Sequence, residues 1–190
     1  MSPSIHPSPA VSLKNKILIA TPSITDAHFQ GSVVLMIEDG PQGSIGLTLN
    51  KPSPLACDVV LKELSLSWQA PQPNLLIGGP VYPETLWLLH SGRSGQADLR
   101  ITEGLVLNRS REGLAAVCAA DERDARLYFG CAGWKPRQLL GEMSRGDWWV
   151  GEVSPELIFG LRYDEVWAEA LRSLGVDPLC FVGEAWGQGH

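Results

Sequence analysis

A predicted hairpin over residues 32–50 constrains the fold of this chain more than any other segment. Residues 32–38 are apolar throughout up to the final glutamate and rich in β-branched side chains, which is typical of a strand buried on both faces. Asp39 and Gly40 begin a turn, and residues 44–50 then alternate, with Ile45, Leu47 and Leu49 on one face. The pattern predicts two antiparallel strands joined by a five-residue loop.

The remaining periodicity predicts further strands and several helices. Strands are predicted over residues 16–20, 75–77, 85–89, 99–102, 105–107 and 127–129. Capping residues predict helices from Ser53 to Leu64, from Ser110 to Ala119, from Pro136 to Gly146, and after Ser154. A last helix places Trp167, Ala170, Leu171 and Leu174 on one face and ends at Gly175.

The order of these elements predicts the fold class. Hairpin strands that precede most of the helices favour an α+β protein with a largely antiparallel sheet. Residues 1–13 are rich in Pro and Ser without periodicity, which predicts a flexible tail, and no linker interrupts the chain beyond them. We therefore expect a single domain over residues 14–190.

Charge and cysteine usage argue against several classes of function. The net charge is −6 and the basic residues are scattered, whereas nucleic-acid binding needs clustered Lys and Arg, so direct DNA binding is not expected. None of the four cysteines has a C-x-x-C partner, and we expect neither a metal nor a cofactor. The sequence shows no signal peptide and no transmembrane run, which predicts a cytoplasmic protein with reduced thiols and no membrane contact.

Two segments of unusual composition are interpreted as strands that end in functional loops. Residues 43–52 and 130–139 combine Gly, Pro, Asn, Trp and Gln. Gly40, Gly43 and Gly46 lead into a strand instead of a helix N-terminus, so a phosphate-binding loop is not favoured.

With residues 20–26 and 78–90, these segments resemble the bacterial AlgH/YqgE family from about Lys14 to Gly183. The family motifs occur in order as Ala20, Pro22 and Asp26; Gly46, Asn50, Lys51 and Pro52; Gly78 to Pro80; Leu89 and His90; and Gly130 to Trp134 with Gln138 and Leu139. The resemblance implies a bent, bifurcated sheet that forms a pseudo-barrel with helices packed outside. Some members carry a transcriptional-regulator label, but this sequence contains no helix-turn-helix pattern.

Three residues depart from the family pattern in or beside its Gly-Tyr-Ala-x-Trp motif. Cys131 stands where the family usually has Tyr, Arg137 where it usually has Gly, and Leu140 where an acidic residue is common. A ligand or partner recognised through that tyrosine would meet a different surface in this chain.

The leading functional hypothesis is a non-catalytic regulatory or interaction protein with an unidentified partner. Its predicted binding surface comprises Asn50, Lys51, Gly78, Gly79, His90, Trp134 and Gln138. The alternative is a small-molecule binder or hydrolase-like enzyme that uses a cleft near His90 and Trp134, with His90 as acid or base. A thiolate–imidazole pair formed by Cys131 is less favoured than a structural thiol, and a His90 that caps the end of a strand is favoured over a general base.

Overall fold

The computed structural model describes residues 12–68, 75–95 and 97–181. In chain order, the elements of these ranges are β1 (Lys16–Ala20), β2 (Val33–Gly40), β3 (Gly43–Thr48), α1 (Cys57–Glu63), β4 (Leu76–Ile77), β5 (Val81–His90), β6 (Leu99–Thr102), β7 (Leu105–Asn108), α2 (Arg111–Ala119), β8 (Ala125–Trp134), α3 (Gln138–Ser144), β9 (Trp148–Glu152), α4 (Pro155–Phe159), α5 (Val166–Ser173) and a 3-10 turn (Pro178–Phe181).

The strands form one curled sheet in the order β6-β7-β5-β8-β3-β2-β1-β9, and β4 pairs with β8 outside this path. Every pairing is antiparallel except the parallel pair β4–β8. The predicted α+β class and the bent, bifurcated sheet are confirmed, since the sheet curls into a half-barrel.

Strand β8 is where the sheet divides. Its residues 125–131 pair with β5, whereas residues 132–134 pair with β3. Gly130 lies between the two halves with a φ of +67°. That left-handed conformation suits glycine and bends the strand from one part of the sheet into the other.

Gly78 and Gly79 pack against this bend. A Cβ atom on Gly79 would lie 2.3 Å from the carbonyl carbon of Cys131, and one on Gly78 would lie 2.3 Å from the Gly130 oxygen. Both glycines are buried. From the sequence, these glycines were expected to let another backbone or a ligand approach closely; in the structure, the backbone that approaches them is that of β8.

The largest hydrophobic cluster lies on one face of the sheet beneath α4 and α5. This cluster joins residues from both ends of the sheet, so the face that it covers is the concave one. The members of the cluster include Ile17, Leu35, Leu47, Trp87, Ile101, Tyr128, Ile158 and Leu171. Two smaller clusters cover the opposite face, one with α1 and α2 and the other with α3. Helices therefore pack on both faces of the sheet.

Several predicted boundaries are corrected by long-range pairing. Gly40 pairs with Gly43, so the hairpin loop has two residues instead of five. Helix α1 begins at Cys57 instead of Ser53, because the Ser53 N–H donates to the Leu75 oxygen at 2.9 Å. Helix α3 begins two residues after Pro136.

At the N-terminus, the structure also corrects part of the predicted tail. Residues 1–11 of that segment lie outside the described residues. The Leu13 N–H donates to Asp39 Oδ2 at 2.8 Å, and the Leu13 side chain packs against the cluster beside α3. In the described part of the chain, no helix is long and apolar enough to cross a membrane.

Candidate functional site

The structure divides the seven predicted site residues among separate places. His90 pairs with Ala125 at the first residue of β8, whereas Trp134 is the last residue of that strand. The strand path between them is about 30 Å at about 3.3 Å per residue. A cleft shared by His90 and Trp134 is not supported, because the His90 side chain is fully buried at the far end of β8.

The Trp134 end of β8 carries an aromatic cluster. Trp134 and Phe29 stack with ring centroids 6.0 Å apart, and Trp148 meets Phe29 at 5.7 Å and Trp134 at 6.1 Å in edge-to-face geometry. These separations are typical of favourable aromatic pairs. The cluster joins three segments distant in sequence: the β1–β2 connection, the end of β8, and β9.

One carboxylate fixes the orientation of both indoles. Glu142 Oε2 accepts from Trp134 Nε1 at 2.8 Å and from Trp148 Nε1 at 2.9 Å. Glu142 Oε1 accepts from Gln138 Nε2 at 3.0 Å, one helical turn earlier on α3. Hydrogen bonds to an ionised acceptor are stronger than neutral ones, so this arrangement holds the aromatic rings in place.

Asn50 and Lys51 secure the segment that carries Phe29. Asn50 Oδ1 accepts from the Val33 N–H and its Nδ2 donates to the Gly31 oxygen, both at 2.9 Å. Lys51 Nζ donates to the Gln30 oxygen at 2.6 Å, and burial lowers the pKa of this lysine. Both residues therefore hold the segment that carries Phe29, and Asn50 is buried while Lys51 is half-buried.

A surface cleft of about 330 Å³ lies beside the aromatic cluster, and we call it the tryptophan cleft. It is lined by Ser23, Ile24, Thr25, Asp26, Phe29, Gln138, Glu142, Arg145, Asp147 and Trp148. Three carboxylates and one guanidinium make the lining acidic. Arg145 is already paired with Asp147 at 2.7 Å, so the uncompensated charge belongs to Asp26 and Glu142.

At the opposite end of β8, His90 belongs to a buried network. Its ring and the Glu122 carboxylate are fully buried, with His90 Nδ1 3.3 Å from Glu122 Oε2. Asn108 Oδ1 accepts from the Asp98 N–H, so Asn108 Nδ2 donates to His90 Nε2 at 3.1 Å. Nδ1 therefore carries the hydrogen and donates to Glu122.

Glu122 closes the loop that follows β5. It accepts from the Ser91 hydroxyl, from the Arg93 N–H at 3.2 Å and from the Ser94 N–H at 3.1 Å. Burial by itself raises the pKa of Glu122, but these hydrogen bonds and His90 outweigh it, and the pKa lies below its usual value. The Gly92 N–H also lies 3.2 Å from His90 Nδ1. The hydrogen on Nδ1 is assigned to the Glu122 contact, because a carboxylate can only accept.

The three departures from the family pattern lie in different environments. Cys131 is buried within β8, and burial raises its pKa despite the opposing charge of Arg109, which does not favour a reactive thiolate. Arg137 has a φ of +68°, which lies in the left-handed region that glycine adopts without steric strain. Leu140 is 63% exposed, and with Arg137 it lines a separate groove of about 700 Å³.

Sequence reasoning did not identify Glu142, Glu122 or Asn108 as organising residues. Glu142 had a usable signal, because it lies four residues after Gln138 on a predicted helix, where side chains meet. Glu122 and Asn108 had none, since their partners come from other elements.

Comparison with known proteins gives the family. The AlgH-like family profile matches residues 17–179. The chain belongs to the AlgH-like family. A "UPF0301 protein" of Anaeromyxobacter dehalogenans strain 2CP-1 is 36% identical over 178 residues, covering 87% of this chain and 89% of that protein. A "UPF0301 protein" of Ralstonia pickettii is 32% identical and covers 94% and 97%.

Two solved structures of similar proteins share the architecture of this AlgH-like chain. The solution structure of the AlgH protein from Pseudomonas aeruginosa has a TM-score of 0.70 and 30% identity, with both chains fully covered. A crystal structure of a Corynebacterium diphtheriae protein has a TM-score of 0.69 and 27% identity, covering 84% of this chain and 85% of that one. These names describe families and sources and assign no reaction.

Proposed function

We propose that this AlgH-like protein is a non-catalytic interaction protein that binds a partner protein through the tryptophan cleft. The observation that carries the proposal is the pair of indoles tethered by Glu142 beside an acidic cleft. Trp134 and Trp148 are each only 5% exposed, so they form a rigid support, and the half-buried Phe29 ring beside them offers aromatic contact area at a small cost in conformational entropy.

The charge and size of the cleft indicate what part of a partner it takes. Its lining has an excess of carboxylates, and the half-buried Phe29 ring supplies aromatic surface on which a cation can rest. A volume of about 330 Å³ lies at the lower end of the range for small-molecule sites, which suits one long side chain. We therefore propose a Lys or Arg side chain of the partner as the occupant.

The same features weigh against the other functions considered. An acidic cleft repels phosphate, which supports a role without direct nucleic-acid contact. Catalysis by His90 is disfavoured because its ring is fully buried and held by Asn108 and Glu122. We place the protein in the cytoplasm, where its four unpaired cysteines would remain reduced.

Site-directed photo-crosslinking in the host cell tests this proposal. Benzoylphenylalanine at position 138, which is exposed at the rim of the cleft, is compared with the same group at position 162, which is exposed elsewhere. We expect position 138 to capture one protein, crosslinked through a segment that contains Lys or Arg. Equal capture at both positions, or a captured segment without a basic residue, contradicts the proposal.

A charge-reversal pair sharpens the result. Asp26→Lys places a positive charge at the cleft, whereas Asp164→Lys makes the same change at another exposed carboxylate. We expect Asp26→Lys to lower the crosslinking yield from position 138 about tenfold through charge repulsion, and Asp164→Lys to leave it nearly unchanged. Equal yields from the two variants would show that the acidic lining is not used.

A further inference from the structure

A second cavity, of about 590 Å³, lies between the sheet and the connection from α4 to α5. Leu49, Leu76 and Arg126 line it from the sheet. The opposite wall comes from residues 158–163, 165 and 166. This cavity shares no lining residue with the tryptophan cleft, so what it binds is independent of the function proposed above.

Arg126 is a half-buried cation in this cavity. Its Nη1 donates to the Ala125 oxygen at 3.0 Å and its Nη2 to the Phe159 oxygen at 3.2 Å. Its guanidinium carbon lies 5.9 Å from the centroid of the Phe159 ring. A guanidinium has five N–H donors, and the two carbonyl contacts leave others available.

The second arginine of the cavity is already neutralised. Arg162 binds Asp164 in a bidentate arrangement, with Nε–Oδ1 and Nη2–Oδ2 distances of 3.1 and 2.6 Å. Within the described ranges, no carboxylate forms an ion pair with Arg126. Of the two arginines, Arg126 is therefore the one that forms no ion pair within these ranges.

Glu165 is the one acidic residue that lines the cavity among those described. It is exposed, and its Oε2 accepts from the Arg162 N–H at 3.0 Å. That contact holds the carboxylate at the α5 end of the cavity. With Arg162 neutralised by Asp164, Arg126 and Glu165 remain as opposite charges in the lining, so Arg126 is the group that can bind an anion.

About half of the exposed surface of the cavity is apolar, and beside the charged residues its lining comprises Leu49, Leu76, Ile158, Phe159, Gly160, Leu161, Tyr163 and Val166. We propose that the cavity binds a small organic carboxylate with an apolar body, whose two oxygens pair with the Arg126 guanidinium. The planar guanidinium matches a carboxylate, and the volume lies within the usual range for small-molecule sites. A single guanidinium that forms no ion pair within the described ranges matches the charge of a monoanion better than that of a phosphate dianion.

An NMR titration with three probes tests this assignment. Sodium hexanoate carries both the carboxylate and an apolar chain, hexanamide keeps the chain without the charge, and inorganic phosphate keeps a charge without the chain. We expect hexanoate to shift the backbone amide signals of residues 158–166, and hexanamide to bind about tenfold more weakly. No shift with hexanoate, or equal shifts with hexanamide or phosphate, would overturn the proposal.

Variants identify the responsible cation. Arg126→Gln should weaken hexanoate binding about tenfold, and Arg162→Gln should change it less than about twofold because Arg162 is already paired. Arg126→Lys keeps the positive charge but lacks the planar guanidinium, so its hexanoate affinity should lie between those of the other two variants. It also replaces Arg126→Gln in the test if that variant does not fold. Unchanged hexanoate affinity in a folded Arg126 variant would contradict the assignment.

Discussion

Two glutamates organise the two ends of β8, and they do so in different ways. Glu122 is fully buried, and most of its donors are backbone N–H groups and a hydroxyl within the loop after β5. Glu142 is half-buried, and its donors are the side chains of Trp134, Trp148 and Gln138. The first carboxylate closes a loop, whereas the second fixes aromatic surface beside a cleft.

This difference explains why the surroundings of Glu142, and not those of Glu122, form a candidate protein-binding surface. A carboxylate whose oxygens are occupied by backbone donors in the core has no capacity for a partner and contributes to stability alone. A half-buried carboxylate that holds buried indoles beside a cleft contributes less stability but determines the shape of a surface. The predictions below separate these roles.

The largest effect is expected from Glu122→Gln. The amide places an NH₂ group among donors that need acceptors, so unfolding free energy should fall by about 3 kcal/mol. Urea unfolding followed by tryptophan fluorescence measures it. Asp124→Asn is the matched control, because Asp124 is exposed and pairs with Arg93 at 3.3 Å; its effect should stay below about 0.5 kcal/mol. Similar losses in both variants would contradict the distinction.

The same glutamate should leave a signature in the dependence of stability on pH. Its pKa in the folded state lies below the ordinary value of 4.5, so its contribution is present above pH 4.5 and is lost as pH falls through the folded-state pKa. The stability difference between the wild type and Glu122→Gln should therefore shrink in acid. A difference that stays constant below pH 4.5 would exclude Glu122 ionisation as its source.

Glu142→Gln should have a smaller effect on stability, about 1–2 kcal/mol, because two charge-assisted hydrogen bonds weaken at a half-buried site. Its distinctive result should be displaced indole N–H signals of Trp134 and Trp148 in NMR spectra. Glu152→Gln removes a largely exposed carboxylate near Lys16 and should change stability by less than about 0.5 kcal/mol. Indole signals that remain in place would show that Glu142 does not orient the rings.

The smallest effect is expected at Arg137, beside the aromatic end. Arg137→Gly relieves about 1–2 kcal/mol of left-handed strain but adds up to about 1 kcal/mol of unfolded-state entropy. We expect a gain of about 0.5–1 kcal/mol in thermal unfolding. Arg172→Gly, in the right-handed helix α5, should instead lose about 1 kcal/mol. A loss at both positions would mean that Arg137 makes compensating contacts.

Local patterns predicted much of the secondary structure. The strands β1, β6 and β7 were predicted almost residue for residue, and Ser110 and Ser154 cap α2 and α4 as expected. Strand β8 was predicted over residues 127–129 but extends to Trp134. Its glycines indicated a loop, since glycine weakens a strand unless another backbone lies close to it.

The candidate site was predictable only in part, because some of its contacts join segments that are distant in sequence. Trp134 and Gln138 were predicted to lie together because they are near neighbours in sequence, and they do. His90 was grouped with them wrongly, because its place depends on pairing between β5 and the far end of β8. Strand β9, which brings Trp148 to the cluster, was not predicted as a strand.

The sequence by itself determined the α+β class, the antiparallel hairpin and the Ser110 and Ser154 helix caps, because alternation and capping act between residues a few positions apart. The tertiary structure alone decided that Gly78, Gly79 and Gly130 would serve a backbone-to-backbone contact instead of a binding loop. It also decided that Glu122 would be buried while Glu142 lies beside a cleft. The physical reason is that close backbone approach and carboxylate burial depend on neighbours supplied by distant strands.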